Sequence, residues 1–259
     1  MNAKKLVAAA GMAIGLLMLQ PMQGIASENK SEPAVASLEG DRIRTSQGEL
    51  LIHPINHASF VMVWQGKTLY VDPVGGAQVY QGLPEPDLIL LTHEHQDHLN
   101  AETLSALGGD APIVTPESVR AKLPEALAKR AQVMKNGDSK TVASIPLRAI
   151  PAYNTTPERL KYHPKGRDNG YVLTLGDTRV YIAGDTEDTP EMRALRDIDG
   201  AVVPMTLPFT MTIEQAADAV RAFKPDIVYP YHSRGSDIEA FARLVGKDSG
   251  VEVRLRDWY

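Results

Sequence analysis

The segment Thr92-His93-Glu94-His95-Gln96-Asp97-His98 places three histidines and two acidic residues within six positions. It follows an apolar run, Leu88 to Leu91, which is bounded by Pro86 and predicts a short buried strand. Burying so many imidazole and carboxylate groups without partners would be costly, so packing alone explains the spacing His-x-His-x-Asp-His poorly. Imidazole and carboxylate together suit zinc or another first-row metal. The segment therefore predicts a metal site at the end of a buried strand.

This spacing after a buried strand resembles the signature of the metallo-β-lactamase superfamily. The resemblance runs from about Ile52 to His232, and it implies an α/β fold with four layers, the αββα sandwich, with a metal site at one edge. Three further motifs resemble a bacterial branch of the superfamily described as metal-dependent hydrolases: Pro151-Ala152-Tyr153-Asn154, His163-Pro164-Lys165-Gly166 and Gly184-Asp185-Thr186. Predicted strands and helices that alternate along the chain also favour a layered α/β fold.

The resemblance implies two metal ions, expected to be zinc with manganese or iron as alternatives, held by six residues: His93, His95, Asp97, His98, Asp185 and His232. The first ion would bind His93 and His95, and the second would bind Asp97, His98 and His232. Asp185 would bridge the two ions. Asp97 is also the expected catalytic residue, because it can orient a metal-bound hydroxide and carry a proton.

The third ligand of the first ion is where this sequence departs from the superfamily pattern. Asn154 occupies the position of the usual histidine, and an amide oxygen is a poorer zinc ligand than imidazole. His163 lies nine residues further along the same predicted loop and could complete the site. We favour His163 as the ligand and keep Asn154 as a residue that contacts the substrate or supports the ligands.

Two more residues are expected beside the metal ligands. His57, in Asn56-His57-Ala58-Ser59-Phe60, lies in a segment that borders the metal pocket in similar sequences, so it would contact substrate or support a ligand. Asp72, at the end of a predicted strand, would accept a hydrogen bond from a ligand imidazole. The alternatives are a solvated histidine and an acid that simply ends a strand.

The N-terminal segment predicts export. Lys4 and Lys5 precede fourteen apolar residues, Leu6 to Leu19, and the pattern Gly24-Ile25-Ala26 is typical of signal-peptide cleavage. We therefore predict a signal peptide over residues 1–26, a flexible leader over 27–47 and a single domain over 48–259. The mature protein would be periplasmic or secreted, without stable membrane insertion. An uncleaved N-terminal anchor is the alternative.

Composition limits the partners and the chemistry. The 259-residue chain has a formal charge of −5, and removal of residues 1–26 takes away two lysines and no acid, which gives −7. An acidic protein has no electrostatic reason to bind nucleic acid, so a small-molecule substrate is expected. The chain has no cysteine, which excludes disulfides and thiolate ligands.

The predicted function is an exported metal-dependent hydrolase that cleaves an ester, lactone, phosphodiester or amide-type bond of a small substrate. One alternative is an iron-dependent oxidoreductase on the same fold, and another is a metal-binding protein without catalysis. Fold does not decide between these functions, but the metal identity and the visible absorbance of the protein would.

The chain also predicts a weak internal duplication. Each half contains a hairpin that ends in an acid, over 60–72 and 171–185, and then an aspartate, an apolar run and a histidine, over 87–93 and 226–232. Such a repeat would make two sheets face each other and deliver ligands to one edge. Other expected elements are helices over 100–106, 116–129 and 213–223 and a strand over 142–150.

Overall fold

Two mixed sheets of seven strands form the centre of the computed structural model, which describes residues 38–259. The first sheet contains β1 (Asp41–Thr45), β2 (Gly48–Asn56), β3 (Ser59–Trp64), β4 (Lys67–Val71), β5 (Leu88–Leu90), β6 (Ile113–Thr115) and β7 (Ala131–Val133). The second contains β8 (Ser139–Val142), β9 (Ile145–Ala152), β10 (Asp168–Leu175), β11 (Thr178–Ile182), β12 (Gly200–Pro204), β13 (Ile227–Tyr231) and β14 (Glu252–Val253). In both sheets the spatial order of the strands follows the chain.

Six α-helices in the described part of the chain cover the outer faces of the sheets: α1 (Ala101–Leu107), α2 (Glu117–Arg120), α3 (Glu125–Ala128), α4 (Pro190–Arg193), α5 (Ile213–Phe223) and α6 (Ile238–Val245). Asn100 caps α1 by accepting a hydrogen bond from the Thr103 amide, and Thr212 and Gln215 form a capping box that starts α5. The predicted boundaries of α5 are confirmed.

Alternation along the strands explains the layers. In β3, Phe60 and Met62 point into a core shared with second-sheet residues such as Tyr171, whereas Val61 and Val63 pack with the helices outside the first sheet. The second sheet packs its other face against α4, α5 and α6. The order of layers is therefore helices, sheet, sheet, helices, and the predicted αββα sandwich is confirmed.

The two sheets repeat one pattern of pairing, since each has three antiparallel junctions followed by three parallel ones. This agrees with the predicted duplication, and the two predicted hairpins are equivalent, since each consists of the third and fourth strands of its sheet. The expected match of the strands before His93 and His232 is wrong. The strand before His93 is the fifth of its sheet, whereas the strand before His232 is the sixth of its sheet. The equal spacing of six residues from aspartate to histidine therefore joins strands that are not equivalent.

The predicted leader over 27–47 is wrong at its C-terminal end, because residues 41–45 form β1. This strand pairs antiparallel with β2 and buries Ile43 and Thr45, so the folded domain starts before residue 48. Its sequence Asp-Arg-Ile-Arg-Thr is mostly polar because it lies at the sheet edge, which hides the alternation. The predicted signal peptide, residues 1–26, and the leader before residue 38 lie outside the described residues.

Two predicted elements are each divided in the structure. The helix expected over 116–129 is divided into α2 and α3, because Pro124 cannot continue a helix and instead starts the second one. The strand expected over 142–150 is a hairpin of β8 and β9, in which Ala143 and Ser144 form the turn with positive φ. No helix within residues 38–259 has the length and hydropathy needed to cross a membrane.

Gly170 and Gly200 provide a test of how closely the second sheet is packed. A Cβ at Gly170 would lie 2.6 Å from the Ala183 carbonyl oxygen, whereas one at Gly200 would meet the terminal methyl of Ile43 at 3.1 Å. We expect Gly170→Ala to lower the free energy of unfolding by about 1–3 kcal/mol, since backbone must move, and Gly200→Ala to change it by less than about 1 kcal/mol. Urea unfolding measures both, and equal effects would contradict the steric argument.

Candidate metal centre

The predicted metal-binding side chains come from loops that follow strands at one edge of the sandwich. The segment 93–98 follows β5, Asp185 follows β11 and His232 follows β13. Parallel neighbours present their carboxyl ends at the same edge of a sheet, which brings these loops together. Glu94 is the exception in the segment, because it pairs with Lys122 and Arg167 on the outside.

The donor atoms form two groups in which all ligand atoms lie within 4.8 Å of one another: His93, His95, His163 and Asp185 in the first group, and His57, Asp97, His98 and His232 in the second. Asp185 lies between the groups. Its Oδ2 is 3.5 Å from Nε2 of His163 and 3.3 Å from Nε2 of His232, and its Oδ1 is 3.4 Å from Nε2 of His98. One carboxylate thus faces both groups.

Unpartnered buried atoms show that the residues fit metal ions. Within the described residues, six buried histidine and aspartate atoms at this centre have no hydrogen-bond partner: Nε2 of His93, His98 and His163, both ring nitrogens of His232, and Oδ1 of Asp185. Buried polar atoms normally have partners, so these atoms lack one that the protein does not supply. Imidazole nitrogens and carboxylate oxygens are the donors that zinc and similar ions prefer.

Hydrogen bonds on the outer side fix the tautomers of the ligand imidazoles. Asp72 accepts from Nδ1 of His98 at 2.8 Å, and Asp168 accepts from Nδ1 of His163 at 3.0 Å. Thr92 donates its hydroxyl proton to Asp72 at 2.6 Å, so its oxygen is left to accept from Nδ1 of His93 at 3.0 Å. In its neutral form each of these imidazoles therefore turns an unprotonated Nε2 towards the centre, as a metal ligand requires.

Burial and neighbouring charges shift the pKa values of the clustered histidines. Burial lowers the pKa of His93 far below its ordinary value, and the neighbouring imidazoles of His98 and His163 lower it further. Burial would also lower the pKa of His98, but the carboxylates of Asp185 and Asp72 outweigh it and raise that pKa to about 9. A proton on His98 would compete with a metal ion for the same nitrogen.

Both acids of the centre stay ionised. Burial would raise the pKa of Asp97, but the neighbouring imidazoles of His232 and His57 lower it well below the usual range. Burial would likewise raise the pKa of Asp185, but the imidazoles of His232 and His98 lower it. Both carboxylates are therefore available to accept a metal ion or a hydrogen bond.

The structure places the two candidates for the third ligand of the first group, His163 and Asn154, in different surroundings. His163 is fully buried and turns Nε2 towards Asp185, with its ring centroid 4.7 Å from that of His95. Asn154 uses its side-chain amide to donate to the carbonyls of Phe209 at 2.7 Å and Arg159 at 3.2 Å. The Asn154 backbone amide also donates to the carbonyl of His163 at 2.8 Å, so it steadies the loop that carries His163.

Two contributors were missed by the sequence analysis. Asp168 orients His163 and is itself held by the guanidinium of Arg167, whose Nε donates to Oδ1 at 2.7 Å. Tyr259 places its hydroxyl oxygen 3.1 Å from Nδ1 of His57. No sequence motif marks either residue, although Asp168 ends the loop that begins with the His-Pro-Lys-Gly motif.

The predicted neighbours of the ligands lie where the sequence analysis expected them. Asp72 is fully buried and contacts His98, as described above. Nε2 of His57 is 3.1 Å from Oδ2 of Asp97, and its ring lies 3.8 Å from that of His232, measured between centroids. His57, Asp72 and His232 all adopt positive φ, between 40° and 58°, which is unusual for residues other than glycine.

Comparison with known proteins now identifies the class. The profile of the Beta-lactamase superfamily domain matches residues 52–232, which is more than half of the chain. The chain therefore belongs to this superfamily, and the resemblance inferred from its motifs is confirmed.

Individual relatives agree with this class. A UPF0173 metal-dependent hydrolase from Pyrococcus horikoshii is 30% identical over 214 residues, which cover 77% of this chain and 93% of that protein. The crystal structure of a candidate metal-dependent hydrolase from Parabacteroides distasonis is 44% identical, with a TM-score of 0.79, and covers 86% of this chain and 100% of its own. CmlA, a diiron β-hydroxylase from Streptomyces venezuelae, has a TM-score of 0.63 at 20% identity, over 80% of this chain and 53% of its own. The likeness to CmlA shows the fold alone.

Replacement of His163 and of Asn154 should have different effects on metal content. We expect His163→Ala to lose about one metal ion per chain, because its Nε2 faces the first group, and Asn154→Ala to keep the wild-type content. His53→Ala is a matched control, since His53 lies apart from both groups and contacts the Glu39 carbonyl. Elemental analysis of the purified proteins gives the answer, and a loss confined to Asn154→Ala would reverse the ligand assignment.

Proposed function

We propose that this chain, a metal-dependent hydrolase of the metallo-β-lactamase family, binds two zinc ions and cleaves an ester, lactone, phosphodiester or amide-type bond of a small molecule outside the cytoplasm. The observation that carries the proposal is the position of Asp185 between two groups of donors. In the described structure these groups contain four buried Nε2 atoms without a hydrogen-bond partner, those of His93, His98, His163 and His232. Zinc is proposed because the donors are imidazole and carboxylate in a chain without cysteine.

Each group has a defined task in such a reaction. Bound divalent ions supply a Lewis acid for the oxygen of the scissile bond and lower the pKa of water. His93, His95 and His163 would hold one ion, Asp97, His98 and His232 the other, and Asp185 both. Asp72 and Asp168 keep the ligand imidazoles in the tautomer that binds metal.

Asp97 is the proposed catalytic residue because it is the most accessible acid of the centre. Its side chain is 50% exposed, whereas that of Asp185 is 2% exposed. Its lowered pKa keeps it ionised, so it can accept a hydrogen bond from the attacking water and orient it. The carboxylate of Asp97 would also lie beside the proton released in the reaction, and its exposure gives that proton a route to solvent.

A pocket of about 420 Å³ opens onto the second group and defines where substrate would bind. Its wall contains Asp97, His57 and His232 together with the apolar side chains of Val74 and Phe209. This volume suits a small molecule rather than a polymer. Arg234 also lines the pocket and forms no ion pair with any residue of the described chain, so an acidic group on the substrate would find a partner there.

Zinc-dependent hydrolysis of model substrates is the direct test of the proposed function. The protein as purified, after chelation and after return of Zn²⁺, is assayed on a nitrophenyl ester, a lactone, a nitrophenyl phosphodiester and a β-lactam. We expect cleavage of at least one compound, lost on chelation and restored by Zn²⁺. Asp97→Asn should lower kcat by about 10²–10⁴-fold, while Asp177→Asn, in a remote turn beside Ser46, should not.

Three outcomes would count against this function. Two bound zinc ions without cleavage of any compound would contradict the proposed bonds. Bound iron with visible absorbance would favour the oxidoreductase alternative, and no tightly bound metal would remove the proposed chemistry altogether.

Export is a separate part of the proposal and has its own test. The basic, apolar and small residues over 1–26 support secretion with cleavage after Ala26. In a bacterial host we expect the periplasmic protein to begin at Ser27 by intact mass, and Ala26→Arg to accumulate the uncleaved precursor. Ala34→Arg, eight residues beyond the proposed cleavage site, is the control that should be processed normally. Recovery of the full 259 residues from the membrane fraction would instead support an anchor.

A further inference from the structure

Tyr259 lies at the mouth of the metal centre, although it is 202 positions away from its partner His57. The preceding residue anchors it, because Trp258 is buried in the core between the sheets with its ring centroid 5.8 Å from that of Phe60. The guanidinium of Arg234 lies over the ring of Tyr259, 4.7 Å from its centroid. The burial of Trp258 and the contact with Arg234 therefore restrict the position of the phenol.

The hydrogen bonds around the hydroxyl of Tyr259 determine where its proton points. The backbone amides of Ser233 and Arg234 donate to its oxygen at 2.7 and 2.9 Å. A hydroxyl group accepts two hydrogen bonds and donates one, so both of its acceptor positions are filled. Its proton is left for Nδ1 of His57 at 3.1 Å. Nδ1 of His57 must therefore carry a lone pair and not a proton.

This arrangement makes His57 the opposite of the ligand imidazoles beside it. His98 and His163 donate from Nδ1 to a carboxylate and turn a lone pair on Nε2 inwards. His57 accepts at Nδ1, so its proton is on Nε2, 3.1 Å from Oδ2 of Asp97. An Nε2 that bears a proton cannot bind a metal ion, even though His57 is spatially part of the second group of donors.

We propose that Tyr259 is a positioning residue, whose hydroxyl holds His57 in the Nε2–H tautomer so that His57 orients the Asp97 carboxylate and does not bind metal. The chain of hydrogen bonds runs from Tyr259 through His57 to Asp97. The tautomer follows from the hydrogen bonds alone, whereas its effect on turnover rests on the proposed function.

The tautomer can be read directly by long-range ¹H–¹⁵N correlation spectra of the full-length protein with Zn²⁺ added. His57 is assigned by the loss of its signals in His57→Gln. In wild type we expect His57 to carry a proton on Nε2 and none on Nδ1. In Tyr259→Phe the hydroxyl is gone, and we expect a second form with the proton on Nδ1. Tyr70→Phe, which removes a hydroxyl bonded to the distant Pro84 carbonyl, should leave His57 unchanged.

Zinc binding provides a second readout. We expect His57→Gln to keep the wild-type number of zinc ions and His232→Ala to lose one. Tyr259→Phe should weaken the second zinc position by about tenfold in a chelator competition, at the lower end of the effects seen for residues behind a ligand. In the His57→Gln background the same change should have no further effect, because the residue through which it acts is absent.

The outcomes separate this inference from the proposed function. A wild-type His57 protonated on Nδ1, bound to zinc, or unaffected by Tyr259→Phe would overturn the inference, and so would loss of a zinc ion in His57→Gln. Failure to bind zinc or to hydrolyse any compound would count against the function, while the tautomer of His57 would still be measurable. An equal loss of zinc affinity in Tyr70→Phe would show a general loss of stability and overturn the positioning role.

Discussion

The buried carboxylate of Asp185 is the constraint on which the rest of the metal centre depends. It is 2% exposed and lies within 3.3 to 3.8 Å of four Nε2 atoms, which come from three different segments of the chain. A buried charge without compensation would be strongly destabilising. The centre is therefore stable only with positive charge beside Asp185, supplied by a protonated imidazole such as His98 or by metal ions. Folding and ion binding are coupled at this one residue.

The two halves of the sandwich repeat one pattern of strand pairing, and this repeat brings an acid from each half to the metal centre. Each sheet changes from antiparallel to parallel pairing at its fourth strand, and that strand ends in an acid of the centre: Asp72 after β4 and Asp185 after β11. The two acids have different roles. Asp72 lies behind His98 and orients it, whereas Asp185 faces the donors directly. A duplicated framework thus carries both ligands and their supports in each half.

The sequence was sufficient to predict a layered α/β fold and the metal-binding segment 93–98, because alternating elements and dense clusters of donors are local patterns. The order of the four layers was implied by the resemblance to the metallo-β-lactamase superfamily. The prediction failed at the edge strand β1, where the apolar pattern is weak because Ile43 is its single fully apolar residue. It also failed at Pro124, where one proline divides a predicted helix. The six-residue spacing shared by 87–93 and 226–232 was misleading, since pairing depends on register across the sheet and spacing along the chain does not report it.

The hydrogen bond from a ligand imidazole to Asp72 was expected from the sequence. The rest of the protonation pattern of the centre is not visible in any local pattern of the sequence. Each imidazole is assigned its role by what lies behind it: Asp72 behind His98 at a separation of 26 residues, Asp168 behind His163 at five, and Tyr259 behind His57 at 202. A carboxylate accepts a hydrogen bond from Nδ1–H and so leaves the lone pair on Nε2 for a metal ion. A hydroxyl whose acceptor positions are filled donates to Nδ1 instead and keeps the imidazole proton on Nε2. Identical histidines at one edge of the sandwich therefore become ligands or hydrogen-bond donors through partners that only the tertiary structure brings into place.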